Sequence, residues 1–222
     1  MNCDIFISSL GWKKVSKFFE PLMKKFLYTL PLLGVLFLVG CTTAPPRNIG
    51  NACAIAQEYP SWFYDAKRSY NKWGVPISVQ FAMIRKESHF VADAKTPRTY
   101  ILGFIPSSRV STAYGYAQAL DGTWEQYQNA TGNSAGSRTD FADATDFIGW
   151  YGNFIHQRLG IPKNDAYKLY LAYHQGPNGY KQGSYKNNPS LMSYAKDTQA
   201  WAWRYASQLK SCNIPSEGWW FW

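Results

Sequence analysis

The chain has 222 residues, 46% of them hydrophobic, with 10 Trp and 16 Tyr. That is enough apolar side chain for one packed domain of ordinary size plus appendages, and it excludes a disordered chain. The formal net charge of +9 favours an acidic partner. The basic residues form no stripe and no nucleic-acid motif, so a nucleic-acid partner is not expected.

Taken in order, the chain first shows a basic start, Met23-Lys24-Lys25, and an apolar run of 14 residues from Phe26 to Val39. The run is too short to span a bilayer as a helix. It ends in Leu38-Val39-Gly40-Cys41, which resembles the lipobox of a bacterial lipoprotein. The resemblance implies that residues 1–40 are a removable signal peptide and that Cys41 becomes a lipidated N-terminus. Met23 is then the expected translation start, an extended leader being the other reading. Thr42 stands where an inner-membrane retention Asp would sit, which implies an outer-membrane anchor facing the periplasm. Without residues 1–40 the net charge is about +6. In an exported protein, a cell-wall glycan fits this charge better than DNA or RNA.

Cys53 and Cys212 remain, one near each end of the exported part, and in an oxidising compartment they read as a disulfide. It would close a loop of roughly 160 residues and contribute up to about 5 kcal/mol on the chain-entropy model. His89, His156 and His174 are dispersed and no Cys–His metal spacing exists, so neither a metal nor a cofactor is expected.

Residues 41–57 read as the lipidated end and a polar tether, 58–212 as the domain, and 213–222 as an aromatic tail. Pro60-Ser61 opens a helix closed by Gly74, and Val75-Pro76 leads into a second one ending near Glu87. Residues 91–113 are irregular, with a small hairpin expected around YILGFI. Helices are expected at 121–130, at 140–159 with Asp140 as N-cap, and at 164–174. A Gly/Pro/Asn-rich bend at 175–189 then leads to a last helix near 190–210. The fold class is mainly α, one domain with a loop-rich front.

The stretch VQFAMIRKESHF, residues 79–90, carries the first chemical clue. On a helix, Met83 and Ile84 flank Glu87 on one face while Arg85 and Lys86 project elsewhere. A carboxyl group against apolar neighbours loses hydration, and its pKa rises towards that of a general acid working near neutral pH.

Two further segments follow. STAYGYAQAL (111–120) contains Gly-Tyr-Ala-Gln, and LAYHQGPNGY (171–180) puts Ala-Tyr-His before a Gly-Pro-Asn-Gly sequence. With Glu87-Ser88 they resemble, in order, the three signatures of the lytic transglycosylases of the lysozyme superfamily: Glu-Ser, Gly-Leu-Met-Gln, and Ala-Tyr-Asn with a following Gly. The resemblance spans about residues 60–210 and implies a lysozyme-like domain that acts on peptidoglycan strands, expected as a monomer. It implies Glu87 as the sole acid/base, Ser88 holding the substrate or the acid, and Gly115 admitting the glycan to the backbone. Gln118 would bind the sugar or its peptide-bearing side, and Tyr173 would face Glu87 across the cleft. Tyr114 and Tyr116 are the rings best placed to line that cleft, with Tyr100, Phe104, Trp124 and Tyr180 as further candidates. His174, standing where the family has Asn, is grouped with the substrate-binding candidates without an assigned role.

Glu87 to Gly115 is 28 residues, about a dozen more than in common members, so KTPRTYILGFIPSSR reads as an insertion beside the cleft. The implied reaction cleaves the MurNAc–GlcNAc β-1,4 bond without water and leaves a 1,6-anhydro ring. A muramidase on the same scaffold, helped by Asp93 or Asp121, is one alternative. A non-catalytic wall-binding lipoprotein is the other.

Overall fold

The computed structural model describes residues 43–102 and 105–217. The expected signal peptide, the lipidation at Cys41, Phe104 and the end of the aromatic tail lie outside them, and Tyr100 is described in backbone only. The described residues form seven α-helices, one 3-10 turn and one two-stranded antiparallel hairpin, which is the mainly α class read from the sequence.

Helix α1 (Ala52–Glu58) starts where the Asn51 side chain accepts hydrogen bonds from the backbone N–H groups of Cys53 and Ala54. This corrects the expected tether, whose last residues belong to the domain. Ala52, Ile55 and Ala56 are buried, and Cys53 is disulfide-bonded to Cys212 with its Cα 5.4 Å away. Ala52 also donates its N–H to Gln208 of the last helix at 2.8 Å.

Helix α2 (Pro60–Trp73) takes Pro60 in its first turn and stops at Gly74, where the backbone turns left-handed. Helix α3 (Ile77–Ser88) buries every residue from Ser78 to Ile84, the pattern of a helix enclosed by its neighbours rather than lying at the surface. Its Gln80 side chain donates to the carbonyls of Ala66 and Val75 at 3.1 and 2.8 Å, fixing the α2–α3 corner.

Strands β1 (Arg98–Ile101) and β2 (Ile105–Arg109) form the hairpin, with Arg98 opposite Arg109. Helix α4 (Asp121–Thr131) follows. Its N-cap is Leu120, and the Asp121 carboxylate meets Arg138 at 2.7 Å. Helix α5 (Phe141–Leu159) is capped by the Asp140 side chain, which accepts the N–H of Asp143.

Helix α6 (Ala166–Lys181) runs past the expected end at residue 174. It kinks at Gly176 (φ 70°, ψ 160°) and resumes with Pro177, a residue that needs no N–H partner at the start of a helical turn. A 3-10 turn (Ser184–Asn187) then leads to α7 (Pro189–Lys210).

The core is a slab of rings between α2, α3 and α5. Trp62 stacks on Phe141 with centroids 4.1 Å apart and on Phe90 at 6.0 Å, and Phe81 meets Phe141 edge-on at 6.0 Å. Helix α3 is held to α7 by its own charged side chains. The Arg85 guanidinium lies 3.7 Å from the Trp201 ring centroid and donates to the Ile49 carbonyl at 2.9 Å. The Lys86 ammonium sits 3.8 Å from the Tyr194 ring centroid and 3.4 Å from Asp197. With Arg85 and Lys86 clamped to α7, the next side chain, Glu87, is directed at α6.

Candidate active site

Glu87 sits on the last turn of α3 behind Met83 and Ile84, both buried. Its Oε1 is buried and has no hydrogen-bond partner among the described residues. Loss of hydration raises the carboxyl pKa from 4.5 to about 7, against smaller opposing effects of the Tyr170 hydroxyl and the Lys86 charge. The acid therefore straddles its two protonation states near neutrality.

Helix α6 supplies the opposing wall. Tyr170 and Tyr173, three residues apart, share one face of α6 and both feel the Glu87 charge, which with burial raises their hydroxyl pKa values. Tyr170 is 3% exposed, and its hydroxyl draws the raised Glu87 pKa partly back down. Tyr173 donates to the Ala117 carbonyl at 2.6 Å, and its ring meets Tyr151 edge-on at 5.4 Å. Tyr173 thus ties the Glu87 wall to the loop that precedes α4.

That loop is the GYAQ segment. Gln118 adopts a left-handed φ of 48°, and its side-chain amide donates to the carbonyls of Ala94 and Gly115, both at 2.9 Å. A pocket of about 240 Å³ opens here, lined by Gln118, Leu120, Thr123, Tyr151, Tyr173 and His174 among others. Lost hydration holds the His174 imidazole below the ordinary histidine value.

Three other expectations are corrected. Tyr116 is 1% exposed and lies in the core, edge-on to Trp62 at 5.6 Å and to Phe141 at 5.2 Å, so it does not line the pocket. A protein contact by itself already requires glycine at position 115. Its φ is +81°, and a Cβ there would fall 2.0 Å from the Arg138 carbonyl oxygen. Ser88 is 5% exposed and its hydroxyl donates to the Ile84 carbonyl at 3.2 Å, inside its own helix. Tyr114 stays at the surface, its ring 5.0 Å from the Lys95 ammonium and 5.3 Å from the Arg138 guanidinium.

Tyr170 was not among the residues expected at the site. Its only mark in the sequence is its spacing of three from Tyr173. Asp93 is exposed and Asp121 pairs with Arg138. Burial, and against it the Tyr170 hydroxyl and the Lys86 charge, set the Glu87 pKa. The described residues contain no cluster of His, Cys, Asp or Glu fit to hold a metal ion.

A helical domain with one desolvated carboxyl group near tyrosines, beside a glutamine-lined pocket, is an arrangement suited to acid–base chemistry. The chain belongs to the transglycosylase SLT domain family, whose model matches residues 29–212. At that level it is a lytic transglycosylase-type enzyme whose substrate is peptidoglycan. No curated protein matches the chain.

Proposed function

We propose that the chain cleaves the MurNAc–GlcNAc β-1,4 bond of peptidoglycan without water, with Glu87 as its single acid and base. Protonated Glu87 gives its proton to the bridging oxygen as the bond from that oxygen to the muramic C1 breaks. The acetamido oxygen of the same sugar stabilises the positive charge on C1. The Glu87 carboxylate then removes the proton of the muramic C6 hydroxyl, and O6 bonds to C1, closing the 1,6-anhydro ring. Atoms balance with no water consumed, and the acid ends protonated as it began.

The observation that carries this reading is the Glu87 carboxyl itself, buried at Oε1, unpartnered there, and held at a pKa of about 7. Such a group can donate a proton and take one back at neutral pH. Hydrolytic glycosidases use a second carboxylate about 5 to 9 Å from the first; of the two candidates in this chain, Asp93 is exposed and Asp121 pairs with Arg138. An internal hydroxyl held near C1 replaces the encounter with water. In this reading Tyr173 and Gln118 position the sugar, and Cys41 carries the lipid that keeps the enzyme at the outer membrane, facing the periplasmic wall.

Mass analysis of digested sacculi tests the proposal. The expected products are anhydro-muropeptides, lost in the Glu87→Gln variant. Reducing-end products, heavier by one water, would replace it with a hydrolase, and undiminished lysis by Glu87→Gln would remove Glu87 from the chemistry.

A further inference from the structure

A second concavity lies away from the pocket at Gln118 and His174. It is an open pocket of about 670 Å³ between the start of α6 and the outer face of α7, lined by Pro162, Asn164, Asp165, Tyr167, Lys196, Gln199 and Trp203. It shares no residue with the pocket at Gln118 and His174. Lys196, Gln199 and Trp203 recur on α7 at spacings of three and four, so they share one face. The residues that grip α3, Tyr194, Asp197 and Trp201, lie on another.

The chemistry of the lining is that of a sugar site. Trp203 is 70% exposed and stacks on no other ring among the described residues, which leaves a large indole face bare beside Tyr167. Around the two rings stand groups with free hydrogen-bonding capacity. Gln199 accepts the Tyr167 N–H through Oε1 at 3.0 Å, which aims its amide nitrogen elsewhere. The Asn164 amide has no partner among the described residues, and Lys196 has no ion pair there. Asp165, by contrast, is occupied: it caps α6 and pairs with Lys168 at 3.2 Å. Aromatic faces bind the C–H face of a pyranose, amides bind its hydroxyl and acetamido groups, and an ammonium binds a carboxylate.

We infer that this pocket is a second, non-catalytic binding site for the peptidoglycan strand, with Trp203 and Tyr167 as the platform and Lys196 reading a carboxylate of the wall polymer. The occupant follows from the substrate class of the family and from charge: without residues 1–40 the chain is still basic, at about +6, and the wall polymer carries carboxylates. A second hold on the same polymer raises the effective concentration of strand at the cleft. The inference rests on peptidoglycan being the substrate and does not depend on Glu87 being the acid.

The test uses the exported chain with Glu87→Gln throughout, so that strands are not cut. A soluble tetrasaccharide of GlcNAc and MurNAc is titrated while backbone and indole N–H resonances are recorded. The expected result is a saturable shift set at Trp203, Tyr167 and Gln199, separate from any set at Gln118 and His174. In a co-sedimentation assay, Trp203→Ala weakens retention on purified sacculi roughly fivefold, and Trp203→Tyr restores much of it. Shifts confined to Gln118 and His174, or retention equal in Trp203→Ala and its parent, overturn the inference. So does a Trp203 signal that moves with protein concentration alone, which marks a second copy of the chain. If the Glu87→Gln protein still forms product, the acid assignment falls while the Trp203 resonances still decide this site.

Discussion

Tyr170 on α6 and Glu87 on α3 lie close enough for each to shift the other's pKa, and the Glu87 Oε1 is buried with no hydrogen-bond partner among the described residues. The pair sets how readily that carboxyl gives and regains a proton. Burial pushes its pKa up and the hydroxyl draws it partly back, because a hydrogen bond to the charged form favours that form.

Replacing the hydroxyl shows its weight. Tyr170→Phe removes a hydroxyl that favours the charged form of Glu87, so the pKa rises above its present value of about 7. The limb of the pH–rate profile on which activity falls with rising pH then moves to higher pH. The variant also loses roughly tenfold in kcat at neutral pH, the usual scale for one hydrogen bond to a charged group. A loss of kcat with an unshifted limb would make Tyr170 a packing residue only.

The carboxyl also carries a stability signature. Its pKa is 4.5 when unfolded and about 7 when folded, so between those values the folded chain keeps a proton that the unfolded chain has released. Stability from this group is therefore greatest below pH 4.5 and declines as pH rises to about 7. Glu87→Gln, which cannot ionise, should be the more stable protein above that range by on the order of 2 kcal/mol, with the gap closing in acid. Thermal unfolding of both proteins across the range checks this, and a gap independent of pH refutes it.

Gly115→Ala should be strongly destabilising. The position has φ +81°, and the new methyl group would sit 2.0 Å from the Arg138 carbonyl oxygen. Backbone strain and the forced shift of the 115–118 loop together cost about 3 kcal/mol. The denaturant midpoint measures this directly. A loss of activity with unchanged stability would instead revive a role for Gly115 in admitting substrate.

His89→Gly should stabilise the chain. His89 ends α3 in the left-handed region at φ 53°, followed by Phe90 at φ 63°. Phe90 is fixed by burial among Trp62, Phe81 and Phe141, whereas His89 is exposed. Glycine at the exposed position relieves strain of about 1 kcal/mol, less the entropy it adds to the unfolded chain. A rise in urea midpoint at constant slope is the expected reading.

Much of this architecture is legible in the sequence because it depends on local chemistry. Pro60, Gly74, Asp140 and the 3.6-residue rhythm of Phe141 to Ile155 mark helix ends and faces without reference to distant residues. The desolvated carboxyl of Glu87 is legible for the same reason: Met83 and Ile84 stand one turn away on its own helix. What escapes is whatever depends on approach between segments. Helix α1 reads as tether until Cys212 and Gln208 are seen to hold it. Tyr116 looks like a cleft ring by its position in the motif, yet the Gly115 turn sends it into the core between Trp62 and Phe141. Tyr170 goes unnoticed because its partner lies on another helix.

The Cys53–Cys212 bond joins the first helix to the residue just beyond the last one, 159 positions later. Covalently, everything between them is a ring. A protease that severs one exposed connection, such as residues 132–136 after α4, leaves a nicked but undivided molecule, and only a second incision or reduction releases a fragment. Such a ring tolerates an accidental cut that would split an open chain in two.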